Sequence, residues 1–236
     1  MNAVNAEAAE LTIAVDASRR VSALLCAPRD ARACYVLAHG AGAGMRHPFL
    51  AAIADALAAR GIATLRYQFP YMEQGSKRPD VPAVAHATVR AAVDEAARAA
   101  PGVALIAGGK SFGGRMTSQA QAATPLPGVR GLAFLGFPLH PAGKPSDERA
   151  AHLADVRVPM LFLQGTRDDL ATLSLLRPVV ARLGAAARLE LFDDADHSFH
   201  VRARSRRTDV DVLAALADSL AAWIDASIVS AAMART

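Results

Sequence analysis

The chain has 236 residues, 53% of them apolar and only 5% aromatic, which suits one α/β domain with a core packed through small side chains. Its net charge of +4 is scattered. The one basic cluster (Arg202, Arg204, Arg206 and Arg207) reads as a solvated loop, so nucleic acid is not an expected partner. No apolar run has the length and purity of a membrane span, and the opening residues lack the basic and apolar regions of a secretory signal, so a soluble, cytoplasmic protein is expected.

Residues 11–15 and 21–26 read as an opening pair of strands joined by a 16–20 turn, and residues 34–38 as the next strand. A helix over 48–60 stops at Gly61, and a strand covers 62–67. Pro70, Gly75 and Pro79 mark 68–81 as a loop. A helix over 83–99 closes at Pro101-Gly102; a strand follows at 103–107, a helix at 111–123 and a strand at 131–137. Further strands at 159–163 and 187–192 flank a helix at 173–183, and a helix at 209–228 closes the chain.

That alternation predicts a mostly parallel sheet of about eight strands with helices on both faces. Neither repeat nor linker interrupts it, so residues 1–236 read as a single domain. Between 139 and 159 there is room for about one short helix and none for a lid domain, which predicts an open site. Cys26 and Cys34 lie in apolar runs and are expected to be buried thiols rather than a disulfide.

Gly109-Lys110-Ser111-Phe112-Gly113 is a G-x-S-x-G pentapeptide between a predicted strand and a predicted helix. The pattern also fits a glycine-rich turn with an N-capping serine. The strand before and the helix after favour a nucleophile elbow, a strained turn that exposes the serine oxygen at the strand's C-terminal end. A serine hydroxyl needs a base and an orienting acid. Asp168, after the 159–163 strand, is the expected acid, with Asp169 as alternative. His197, after the last strand, is the expected base, with His200 as alternative.

His39-Gly40-Ala41-Gly42-Ala43-Gly44 follows the 34–38 strand and is placed to supply a second oxyanion donor, Ala41 N–H or alternatively Gly42 N–H, beside that of Phe112. Phosphate binding by this loop is disfavoured because no Gly-Lys-Ser/Thr follows it. His39 props the loop in this reading; no metal and no cofactor is expected.

The segments 37–45, 108–115 and 196–199 together resemble a dienelactone-hydrolase-like group of α/β-hydrolases that includes the hydrolase-like domain of a subunit of the NSL chromatin complex. The resemblance runs from the third strand to the last helix. It implies an α/β-hydrolase fold and a serine hydrolase, though some members look like scaffolds in protein complexes. Classical dienelactone hydrolases carry a cysteine where Ser111 stands here, so their lactone substrate does not carry over.

Two functions follow: hydrolysis of a small carboxylic ester or thioester through an acyl-enzyme on Ser111, by a monomer or homodimer, or a hydrolase-fold interaction module with weak or no turnover. Met45, Arg46, Lys110, Tyr67 and His140 are the expected substrate-binding residues, with His47, Arg66, Phe69, Tyr71, Phe137 and Leu139 on the same edge. Arg46, Arg66 and Lys110 either attract an acidic substrate or serve as structural ion pairs.

Overall fold

The structure, a computed structural model, describes residues 8–229. Its eight strands are β1 (Ala9–Ala14), β2 (Arg20–Cys26), β3 (Ala33–Ala38), β4 (Ile62–Tyr67), β5 (Ala104–Lys110), β6 (Val129–Leu135), β7 (Met160–Gly165) and β8 (Ala187–Phe192). They form one sheet in the order β1-β2-β4-β3-β5-β6-β7-β8. β2 is antiparallel to both β1 and β4, and every later pair is parallel. The opening hairpin is tied by Asp16, whose carboxylate accepts from the N–H groups of Ser18 and Arg19 at 2.9 and 2.8 Å.

Every residue of β3, β4 and β7 is buried, because parallel strands are covered on both faces. On one face lie α1 (Pro48–Ala58) and α6 (Asp209–Ile224). Leu50, Ile53 and Leu57 recur at helical spacing and share a core cluster with Leu216, Leu220 and Trp223, so Trp223 packs within the chain. On the other face lie α3 (Pro82–Ala99), α4 (Phe112–Ala123) and α5 (Leu173–Leu183). There α3 and α4 bury Ala85, Ala92, Ala96 and Ala120 at 0% exposure. Side chains this small let helix and sheet approach closely, which is how an alanine-rich chain fills a core with few aromatics.

Several elements differ in place or extent from the sequence-based expectations, among them β6, which spans Val129–Leu135 where 131–137 was expected. β5 runs on to Lys110, since Gly108 and Gly109 stay in the ladder between Leu37-Ala38 of β3 and Ala133-Phe134 of β6. The 68–81 loop holds a short helix, α2 (Pro70–Glu73), opened by Pro70, whose fixed φ suits a first helical residue. α6 stops at Ile224 and continues as a π-helical turn over Asp225–Val229. Between β6 and β7 stands a 3-10 helix, Glu148–Asp155, in place of a lid.

Cys26 and Cys34 are buried thiols, and burial pushes Cys34 up to about 12. Among the described residues no helix is long and apolar enough to cross a membrane. A capping box opens α6: the Thr208 hydroxyl accepts from Asp211 N–H at 3.2 Å while Asp211 accepts from Thr208 N–H at 2.8 Å. Thr208→Ala is expected to cost about 1 kcal/mol, lowering the thermal midpoint by about 2–4 °C in a calorimetric scan.

Candidate active site

Four strands end at one edge of the sheet, and the loop after each contributes a piece of the site. Ser111 follows β5 in a conformation rare for any L-residue, φ 49° and ψ −117°. It occupies the N-cap of α4, yet its side chain makes no capping hydrogen bond, so the hydroxyl is left for other contacts. A Cβ on Gly113 would lie 2.6 Å from both Ala38 Cβ and His39 O. Only glycine lets the first turn of α4 press against the end of β3.

Ser111 Oγ lies 2.8 Å from His197 Nε2, and His197 Nδ1 lies 2.6 Å from Asp168 Oδ2. A carboxylate only accepts, so Nδ1 carries the proton and Nε2 accepts from the serine hydroxyl. The Asp168 side chain is fully buried, whereas the imidazole keeps 23% of its surface exposed. Asp168 is held by Leu170 N–H, which donates to Oδ1 at 2.8 Å, and by the Gln164 amide, which donates to Oδ2. Gln164 in turn accepts from Phe137 N–H at 2.9 Å, linking the acid to the end of β6. The loop after β8 that carries His197 is wound around Asp196, whose Oδ1 accepts from Ser198 and His200 N–H at 2.7 and 3.0 Å.

The loop after β3 is fixed from beneath. Phe69 N–H donates to His39 Nε2 at 3.1 Å, so Nδ1 bears the proton and donates to Gly40 O at 2.7 Å. Burial holds His39 down at about 4, against the favourable Gly40 hydrogen bond. Neutral His39 therefore supports folding fully above pH 6.5, and that support drains away as pH falls from 6.5 towards 4, on the order of 3 kcal/mol in all. An imidazole NMR titration is expected to find His39 still neutral at pH 5 in the folded protein; protonation there would show that this loop support is missing.

Gly42 N–H donates to Tyr71 Oη at 2.9 Å. Phe112 is the first residue of α4, where the backbone N–H has no partner within the helix. Beside Ser111 opens a cleft of about 320 Å³, walled by Ala41, Ala43, Phe49, Leu50 and Leu170, with Lys110, His47, His197 and Ser198 as polar lining. A larger hollow of about 480 Å³ lies between the 3-10 helix and α5 at Met160, the opposite end of β7 from Asp168, far from this chemistry.

Residues 31–225 match the family described as alpha/beta hydrolase domain. This chain is an α/β-hydrolase. Its fold is shared with a dienelactone hydrolase from Anabaena variabilis (TM-score 0.76, 20% identity, 94% of this chain and 99% of that one). A serine hydrolase from Xanthomonas campestris, described as lacking a lid, is similar over 92% of this chain and 95% of its own (TM-score 0.71, 22% identity). An esterase domain from Rhodothermus marinus matches at TM-score 0.70 and 19% identity, over 92% and 98% of the two chains.

In this α/β-hydrolase the structure brings Ser111, His197 and Asp168 together. Asp169 is exposed, and His200 pairs with Asp209 at 2.7 Å instead, a contact that raises its pKa. Of the residues expected along this edge, Lys110 and His47 line the cleft. Tyr67 is fully buried in the core on the α3 face, because its place in β4 turns it inward. His140 is 1% exposed and structural: Nδ1 donates to Pro141 O at 2.9 Å, and Nε2 accepts from Thr172 N–H at 3.0 Å. Met45 is buried and its N–H is held by Gln68 at 2.8 Å, while Arg46 reaches out to Glu10 on β1. Arg66 is buried on the α1 face and feels Asp55. Arg202 pairs with Asp194, so part of the basic cluster is tied down.

Gln164 and Asp196 escaped the sequence reading. A polar residue closing the apolar run 160–163 was the available signal for Gln164; Asp196 opens the 196–199 segment of the resemblance, but that segment does not reveal which N–H groups its carboxylate accepts from.

Proposed function

We propose that this α/β-hydrolase is a serine hydrolase that cleaves a small carboxylic ester or thioester through an acyl-enzyme on Ser111. The observation that carries this reading is the unbroken chain Ser111 Oγ, His197, Asp168, with contacts of 2.8 and 2.6 Å. Ser111 Oγ attacks the carbonyl carbon as its proton passes to His197 Nε2, and Asp168 stabilises the imidazolium. The oxyanion rests on the N–H groups of Phe112 and Ala41, each contributing about 3 kcal/mol. Ala41 is preferred to Gly42 because the Gly42 N–H already serves Tyr71. His197 then protonates the leaving oxygen or sulfur, and water repeats the sequence on the acyl-enzyme. The apolar walls of the cleft favour a substrate with an apolar group beside the carbonyl.

A fluorophosphonate probe tests this directly. Wild type is expected to be labelled and His197→Gln is not; a folded wild type that resists labelling would rule out an activated serine and leave a binding role for the fold. Asp168→Asn is expected to lower kcat by about 10⁴-fold, because an amide in place of the carboxylate no longer fixes the required tautomer of the base. A kcat near that of wild type for this variant would remove Asp168 from the proposed role.

A further inference from the structure

We infer that Lys110 is a positioning residue, its ammonium clamping the main chain of His197 to the strand that carries the nucleophile. The inference rests on the serine-hydrolase reading and adds to it a residue that touches no reacting atom. Lys110 immediately precedes Ser111 at the end of β5, and its Nζ donates to His197 O at 2.5 Å. This contact joins residues 87 apart in sequence. The backbone of the nucleophile and the backbone of the base are thus linked by one side chain, independently of the Ser111–His197 hydrogen bond.

The surroundings are built to accept that link. A Cβ on Gly136, which follows β6, would lie 3.2 Å from Lys110 Nζ and 3.5 Å from His197 Cε1 and Nδ1. Gly136 thus leaves the space in which ammonium and imidazole pass each other. The Phe199 ring lies 5.5 Å from Nζ. The stem of Lys110 passes under the oxyanion loop, where a Cβ on Gly40 would meet its Cγ at 3.6 Å. The charged groups it faces are Asp168 after β7 and Asp196 in the base loop, which favour the ammonium against its burial; burial prevails and draws its pKa down to about 8. A group already spent on a carbonyl and an aromatic face is poorly placed to receive a substrate carboxylate, which distinguishes this role from recognition of an acidic substrate.

The test compares wild type with Lys110→Met, Lys110→Gln and Lys110→Arg on p-nitrophenyl acetate and on an analogue bearing a carboxylate, with circular dichroism melts as the folding control. Turnover by wild type is required first; its failure would count against the serine-hydrolase reading and not against the clamp alone. Lys110→Met is expected to lose about 10- to 100-fold in kcat, the size of effect that a misplaced catalytic group produces, with KM changed little. Removing a positive charge beside the base also moves the acid limb of the kcat/KM profile to higher pH. Lys110→Arg keeps the charge and is expected to leave that limb in place; Lys110→Gln keeps a donor and is expected to recover part of kcat while sharing the shifted limb. Wild-type kcat with an unmoved limb in Lys110→Met would overturn the inference. A loss confined to KM for the carboxylate-bearing ester would overturn it equally, in favour of a substrate ligand. Should Lys110→Met fail to fold, Lys110→Gln decides by the same two readouts.

Discussion

Ser111→Ala is expected to lower ester turnover by at least about 10⁴-fold and to abolish fluorophosphonate labelling. The variant retains His197, Asp168 and the N–H groups of Phe112 and Ala41, so on the proposed mechanism a residual rate above that of water is expected to survive. It is also expected to fold normally. The serine side chain makes no capping bond, its backbone N–H still reaches Leu135 O at 3.3 Å, and alanine bears the same strain at φ 49° as serine does. A thermal midpoint within a few degrees of wild type, together with lost turnover, would separate chemistry from folding. Labelling that persists in Ser111→Ala would mean that another residue is the nucleophile.

Gly109→Ala is expected to be severely damaging, costing more than about 3 kcal/mol or preventing folding outright. Gly109 sits at φ 148°, and its added Cβ would lie 2.2 Å from Ala38 O and 2.8 Å from Ala38 N. Both obstructing atoms belong to the backbone of β3, so no rotamer change relieves the overlap. Moving β3 would drag His39 and the glycine-rich loop after it along. Gly75→Ala is the appropriate control: it has φ 69° but open space around its Cβ, so only the left-handed backbone cost of roughly 1–2 kcal/mol applies. Urea unfolding of the two variants should separate them clearly. Equal midpoints would show that β3 and β5 tolerate a wider spacing than the register of Ala38 against Gly109 implies.

The contrast between these two glycines shows how far local pattern reaches. A sequence reading recognises both as turn or breaker residues, and it placed the β5 strand end at residue 107. Gly108 and Gly109 nevertheless remain in the ladder, because both neighbouring strands approach so closely there that only glycine fits. Two of the candidate substrate residues miss the cleft for a related reason. Tyr67 and His140 lie near the correct ends of strands, but the direction of a side chain at a strand end depends on twist and on what packs above it. Tyr67 turns into the core, and His140 is consumed by the Thr172 and Pro141 backbone.

By itself the amino-acid sequence determined the alternation of strands and helices, the parallel sheet with helices on both faces, the absence of room for a lid, and that Ser111, Asp168 and His197 each follow a strand at the same edge. These follow from apolar periodicity, from glycine and proline as local punctuation, and from the spacing of motifs against strand ends. The choices of Asp168 over Asp169 and His197 over His200 were already favoured by spacing, and the structure places the same residues in contact. Only the tertiary structure decided that Gly42 N–H goes to Tyr71, that Gln164 braces the acid, and that Lys110 reaches the carbonyl of His197. Each of these joins segments 4 to 87 residues apart through side-chain directions. Periodicity carries no record of such directions, since they are set by how neighbouring strands twist and pack.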